Sequence, residues 1–461
     1  MKFKFKNLGL LDEAEVDLAD LTIICGENNT GKTYAAYAIY GFLRNWSDIS
    51  SEIIRDKFSE EIKSNAKQFD LNKIFSGGMN DFLLEMCTKY KEQLHKTFAA
   101  KSNTFQDCEI TLSVNKKIDF YKQSNLRSMS YGNVQLTLAK ESGSSILELL
   151  FSGDNFEEST ILPELLIEAI IGDFINDTFL APEFSRVHIS SVERTGAAIF
   201  RKELDFARTR ILKVVNEAGL KVKNRLELLK KINPDYAWPV EDNVDFTRRL
   251  EDIERQTSEL SAKHPRILDA FNKVIGGTYK VDKNTGLYFH PEGGRKQRFT
   301  MNEASSSVRA LVDVGFYLRG KAKPGDLFII DEPELSLHPK NQRAFARLIA
   351  RLVNAGIKVL ITTHSDYIIK EFNTLIMLNQ KTEHTRKIQK EHEYDDAELL
   401  DFTRVRLYMS GKLATEEGKP PKNTLTPAKI DPRYGIEVET FDDTIDTMNN
   451  IQEEILYGGP F

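Results

Sequence analysis

Two hydrophobic rhythms run along this chain. From Met1 to Leu18, Phe3 and Phe5, then Ala14, Val16 and Leu18, occupy alternate positions. Alternation with period two turns one face of a strand inward, so this stretch predicts an antiparallel hairpin. Leu21-Thr22-Ile23-Ile24-Cys25 and Leu327-Phe328-Ile329-Ile330 are instead apolar runs, the pattern of strands buried on both faces of a parallel sheet. Val187 to Arg194 predicts a strand returning to that sheet, and Val359 to Thr363 another. Cys108 to Val114, Ile118 to Tyr121 and Val134 to Leu138 alternate and predict a small antiparallel meander. Residues 47–106 are helical in pattern and mixed in charge, and a helix is expected from Ile161 to about Ile175.

Longer periods dominate the middle. Ala197 to Ile232 carries Ile211, Val215, Ala218, Val222, Leu229 and Ile232 on one helical stripe, stopped by Asn233-Pro234 and Pro239. Phe246, Leu250, Ile253, Thr257, Leu260, His264, Ile267, Phe271 and Val274 then step by alternating fours and threes. The two runs are expected to pair as an antiparallel coiled hairpin. Unbroken arms of about 30 residues would reach on the order of 45 Å, although Pro265 kinks or ends the second. Further on, Tyr367 to Phe372 predicts helix, Leu375 to Leu378 strand, Lys381 to Glu393 loop or exposed helix, and Val405 to Met409 strand. Phe441, Ile445, Met448, Ile451 and Ile455 give an acidic amphipathic helix expected to dock on the core or on a partner. The layout divides into residues 1–196, 197–275, 276–380 and 381–461: a first half-domain, a helical insertion, a second half-domain and an accessory segment.

Composition narrows the class. A net charge of −6 over 461 residues gives no overall electrostatic footprint for nucleic acid. No apolar run is long enough to cross a bilayer and no signal peptide is visible, so a cytoplasmic protein without membrane partners is expected. Cys25, Cys87 and Cys108 lack metal-ligand spacing and suit a reducing compartment. Locally, residues 201–231 hold ten Lys/Arg against four Asp/Glu, either a solvated helix face or a surface for nucleic acid or an acidic partner. His290 to Arg298 is a Gly-rich basic loop, a hairpin turn or a contact for nucleotide or partner.

The chemistry is concentrated at two strand ends. Leu21 to Cys25 opens into Gly26-Glu27-Asn28-Asn29-Thr30-Gly31-Lys32-Thr33, a complete GxxxxGKT phosphate loop before a helix-compatible segment. Gly26 and Gly31 let the backbone curl so that successive N–H groups face phosphates, beside a helix N-terminus. Lys32 supplies a charge for the β/γ-phosphates, and the Thr33 hydroxyl a ligand for Mg²⁺. The second apolar run meets Asp331-Glu332-Pro333. Two adjacent carboxylates at a buried strand end are costly to desolvate, and a bound metal with a water to deprotonate would account for them.

Asp331-Glu332-Pro333, Leu335-Ser336-Leu337-His338-Pro339 and Val359-Leu360-Ile361-Thr362-Thr363-His364-Ser365 resemble the ABC-type ATPase head of SMC, Rad50, RecF and OLD-like proteins. The resemblance implies an α/β P-loop NTPase with an antiparallel β subdomain and a helical insertion, binding ATP and Mg²⁺. It implies that Asp331 holds the metal through water, Glu332 polarises the attacking water and His364 contacts the γ-phosphate. Ser336 falls in the loop that meets the partner subunit. The second signature corresponds to Asn302 to Leu311, where Ser305, Ser306 and Ser307 would face nucleotide held by another copy. Ser307 replaces a glycine there, which implies slow hydrolysis, and a plain N-cap is the alternative reading. No glutamine loop can be assigned, which disfavours a transporter subunit.

Residues 381–461 are too few for the TOPRIM nuclease domain of OLD proteins, so any nuclease output belongs to another chain. In layout the chain resembles the stand-alone ATPase subunits of bacterial anti-phage systems such as PARIS and Septu. That implies a homo-oligomer, at least a dimer around sandwiched ATP, controlling a separate TOPRIM- or HNH-like nuclease in response to a phage trigger. A RecF- or Rad50-like DNA-repair ATPase is the alternative.

Overall fold

The computed structural model describes residues 1–114, 120–131, 134–152, 163–200, 236–282, 286–294, 297–413, 421–437 and 447–455. Sixteen of its strands are β1 (Lys2–Leu8), β2 (Leu11–Asp17), β3 (Leu21–Gly26), β4 (Gln68–Asp70), β5 (Glu109–Ser113), β6 (Asn125–Tyr131), β7 (Val134–Lys140), β8 (Ile146–Ser152), β9 (Val187–Ser190), β10 (Gly277–Asp282), β11 (Gly286–Pro291), β12 (Phe299–Thr300), β13 (Leu327–Asp331), β14 (Lys358–Thr363), β15 (Val405–Leu413) and β16 (Lys422–Pro427).

Nine of them form one sheet in the order β5-β1-β2-β16-β15-β3-β14-β13-β9. The five from β15 to β9 are mutually parallel. The β1–β2 hairpin forms as expected, with Phe3 opposite Val16 and Phe5 opposite Ala14. The apolar runs sit centrally because both faces are covered. Leu327, Ile329, Ile24 and Leu360 join the core on one side, which includes the Lys32–Lys57 helix. Phe328, Ile330, Leu21, Ile23, Val359 and Ile361 join the core on the other, with the helices Val312–Gly320, Pro339–Asn354 and Asp366–Leu378. Such strands can expose only their ends, and the ends of β3, β13 and β14 lie side by side.

Several expectations are corrected. Residues 109–113 alternate as anticipated but pair with β1 at the edge of the main sheet, while β4-β8-β7-β6 forms the small antiparallel sheet. Leu375 to Leu378 is the last turn of the Asp366–Leu378 helix, not a strand; a four-residue apolar run does not distinguish the two. The second arm of the expected coiled hairpin is four short helices, Trp238–Arg248, Leu250–Glu254, Glu259–Lys263 and Arg266–Ile275. Its seam residues Leu250, Ile253, Leu260, Ile267, Phe271 and Val274 pack into the head core itself, and Ser258 caps a new helix inside the run. Of the first arm, residues 201–232 lie outside the described residues. The 381–461 segment is no appendage, because β15 and β16 bridge β3 and β2 within the main sheet. Residues 447–455 are helical, but Met448, Ile451 and Ile455 are exposed rather than docked on the core. On either side of the Gly-rich basic loop β11 and β12 pair antiparallel, Tyr288 with Thr300 and Phe289 with Phe299, as a hairpin requires. No helix among the described residues is long and apolar enough to cross a membrane.

Candidate functional site

The loop from Gly26 to Thr33 leaves β3 through three positive-φ residues, Gly26 (136°), Asn29 (61°) and Gly31 (96°). A Cβ on Gly26 would sit 2.5 Å from the Ser410 carbonyl oxygen of the neighbouring strand, and one on Gly31 2.6 Å from Leu11. Both glycines are therefore required by fit as well as by backbone conformation. The Ser410 hydroxyl donates to the Cys25 carbonyl (3.0 Å) and lies 2.6 Å from Thr30 Oγ1, bracing the loop from β15. Thr30 closes the turn by donating to the Glu27 carbonyl at 2.7 Å.

Lys32 opens the Lys32–Lys57 helix and folds back over the loop, its Nζ donating to the carbonyls of Gly26 (2.9 Å) and Glu27 (2.6 Å). Burial lowers its pKa, opposed by the nearby carboxylates of Glu332, Asp331 and Glu334. Thr33 Oγ1 lies 3.5 Å from Asp331 Oδ1, which also accepts from the Thr362 hydroxyl of the adjacent strand. Asp331 is 1% exposed, and its Oδ2 is buried with no hydrogen-bond partner among the described residues. Burial pushes its carboxyl up to about 6, with the Thr362 hydroxyl opposing. An orphaned carboxylate oxygen beside a threonine hydroxyl suits Mg²⁺, which takes one or two protein ligands and fills its sphere with phosphate oxygens and water.

Beyond Asp331 the chain turns sharply. Glu332 has φ 51°, and its N–H donates to the Thr362 carbonyl at 3.1 Å. Its carboxylate Oε1 lies 3.7 Å from His364 Nδ1 at the end of β14. Lys32, Thr33, Asp331, Glu332 and His364 thus converge from three neighbouring strand ends. Glu27, Asn28 and Asn29 form the exposed rim of the loop.

Among the described residues no hydrogen bond links the candidate serines to these five. Ser305 caps the short Ser306–Ala310 helix, accepting from Val308 N–H at 3.4 Å and lying 2.9 Å from Ser307 Oγ. Ser305 and Ser306 are exposed, as is Ser336, which has φ 61°. Cap geometry is present at Ser305, and the hydrogen bonds described for these serines stay within that turn.

Sequence reasoning missed four residues. Ser410 and Thr362 brace the loop and Asp331 from adjacent strands. Glu334 is buried between the turn and His364, accepting from the Thr363 hydroxyl at 2.8 Å and from His364 N–H at 2.7 Å; burial raises its pKa against these hydrogen bonds. Arg194, just beyond the end of β9, is 1% exposed. Its guanidinium donates to the carbonyls of Ala310 (2.8 Å), Ser191 (2.9 Å), Asp331 (2.6 Å) and Glu332 (2.6 Å). Glu334 was visible as a third acid beside Asp331-Glu332-Pro333, whereas a lone arginine after a strand carries no such signal.

Comparison with known proteins places this geometry. No curated protein matches the chain. Among solved structures it is similar to an SMC head bound to the C-terminal winged-helix domain of ScpA (11% identity, TM-score 0.35, covering 93% of this chain and 97% of that one). It is also similar to the SMC head domain from Thermotoga maritima (11%, 0.32, 93% and 98%) and to the Smc head with an extended coiled coil bound to the C-terminal domain of ScpA derived from Pyrococcus furiosus (12%, 0.33, 98% and 98%). Scores this low carry no argument about this chain. Residues 1–369, which include every strand end described above except Ser410, match the AAA_15 family, described as AAA ATPase domain. The chain belongs to that family and is a P-loop ATPase.

Proposed function

We infer that the chain is an ATP-driven switch whose heads dimerise around nucleotide and control a separate nuclease in anti-phage defence. The observation that carries the reading is the split arrangement of the expected site. Lys32, Thr33, Asp331, Glu332 and His364 converge at one place, while Ser305, Ser306 and Ser336 are presented to solvent. A second copy supplying its serines would complete the first copy's site.

In this reading Gly26 to Thr33 wrap the phosphates with backbone N–H groups, and Lys32 exchanges its two carbonyl partners for phosphate oxygens. Thr33 and Asp331 hold Mg²⁺, which would neutralise charge on the β- and γ-phosphates. Glu332 accepts a proton from the attacking water, and His364 contacts the terminal phosphate. Ser305, Ser306 and Ser307 of one copy face the nucleotide of the other, and Ser336 meets that copy nearby. The lack of glycine at Ser307 supports slow turnover and hence a timed switch. The output of the switch would be lodged in a partner of TOPRIM or HNH type.

The test is Glu332→Gln, which keeps the side-chain shape and removes the base. With ATP and Mg²⁺ this variant should accumulate a dimer by light scattering, and wild type should not. Monomer at saturating ATP would end the dimer reading. The basic composition of 201–231 supports a second reading, a DNA-binding repair ATPase. Neutralising Arg208, Arg210 and Lys213 should then weaken salt-sensitive DNA binding steeply; absence of such binding in wild type would discard it.

A further inference from the structure

The roles assigned above leave Glu334 unused, although it is a carboxylate with 6% of the residue exposed, set against the site. One of its oxygens, Oε1, takes both hydrogen bonds from the end of β14 and also lies 3.2 Å from His364 Nδ1. Glu332 Oε1 is 3.7 Å from that nitrogen, beyond hydrogen-bond distance. Of the two carboxylates Glu334 is the nearer to the ring nitrogen, and Glu332 stays available for water. We propose that Glu334 is a positioning residue for the histidine: it accepts Nδ1–H and leaves Nε2 as the atom offered to the terminal phosphate.

The physical case rests on what one carboxylate oxygen grips. The backbone N–H of His364 fixes where the residue sits, and Nδ1 fixes how the ring is turned. The Thr363 hydroxyl holds Glu334 itself in place. A carboxylate on one ring nitrogen sets the tautomer at the other, as it does for histidines that ligate metals. The side chain of His364 is 44% exposed, so packing covers only part of the ring and a contact at Nδ1 can select its orientation.

The choice of Nε2 for phosphate rests on the ATP-site reading above, whereas the tautomer does not, so the experiment separates them. The nucleotide-free full chain is labelled with ¹⁵N, and long-range ¹H–¹⁵N correlations of the imidazoles are recorded about two units above the ordinary histidine value of about 6.5, where rings are neutral. The His364→Gln variant identifies the signal. Wild type should show the Nδ1–H form. Glu334→Ala should release the ring toward the Nε2–H form that free imidazole prefers, with ATP turnover falling roughly 10- to 100-fold. Glu334→Gln, which retains an acceptor oxygen in place, should keep the Nδ1–H form and recover most of that turnover. A wild-type ring in the Nε2–H form overturns the proposal, and that result stands even if the alanine variant does not fold. An unchanged tautomer in a folded alanine variant overturns it as well. Failure of Glu332→Gln to trap a dimer, with the Nδ1–H form intact, would count against the dimer reading alone.

Discussion

Replacing Arg194 by methionine should loosen the catalytic turn and the signature helix together. The guanidinium bonds four carbonyls, those of Ser191, Ala310, Asp331 and Glu332. Ser191 keeps a second partner, the Arg194 backbone N–H at 3.2 Å, and Glu332 keeps the Leu335 N–H at 3.1 Å, so the Ala310 and Asp331 carbonyls lose the donor with no such replacement. At about 1.5–2.5 kcal/mol for each hydrogen bond to a charged group, losing these two comes to about 3–5 kcal/mol. That range matches the cost of breaking a buried charged network by removing one member. The positive charge also lowers the pKa of buried Asp313 and of Asp331 against their burial, so its removal favours their protonated forms. Thermal unfolding of a chain this long should show a midpoint drop on the order of 3–5 °C. ATP turnover should fall roughly 100-fold, because the Asp331 and Glu332 carbonyls would no longer be pinned. Arg194→Lys should give little relief, since one ammonium cannot span carbonyls reached by three separate nitrogens. A midpoint within about 2 °C of wild type together with unchanged turnover would refute the clamp.

Two further outcomes follow from the site. In the metal-free chain Asp331 holds its proton up to about 6, above the unfolded carboxylate value of about 3.9. The native state therefore carries the extra proton between those values, stability without metal falls as pH rises through that window, and Mg²⁺ binding releases the proton. Mg²⁺ affinity of the ADP-loaded chain should weaken about tenfold per unit below pH 6; calorimetry showing no change between pH 5 and 7 would contradict the assignment of Asp331. Gly26→Ala forces a Cβ to 2.5 Å from the Ser410 carbonyl at a φ of 136°. It should abolish ATP binding in a filter or fluorescence assay and destabilise the chain by roughly 1–3 kcal/mol, and near-normal ATP affinity would show that the loop does not need this backbone conformation.

Local patterns account for much of the fold and of the site. The GKT loop, the two apolar strands, the β1–β2 hairpin and the Asp331-Glu332 strand end are specified within a few residues each. A glycine at a positive φ, a run buried on two faces or a strand that alternates needs no distant partner to be recognised. Partners are a different matter. Residues 109–113 alternate whichever strand they join, and tertiary packing sent them to β1. Leu250 to Val274 has a seam spacing that a coiled arm and a chain of short helices share; the head core, already short of cover, took those apolar side chains. Val405 to Met409 read as a strand, yet nothing local placed it against the loop strand, where Ser410 reaches Cys25 and Thr30. Arg194 and Glu334 complete the contrast. Sequence determined which residues are the candidates for ATP chemistry, because phosphate, metal and water each demand particular side chains at fixed spacing. Only the tertiary structure decided what holds those residues still, because buried carbonyls and ring nitrogens are satisfied by whichever side chain the fold brings to them.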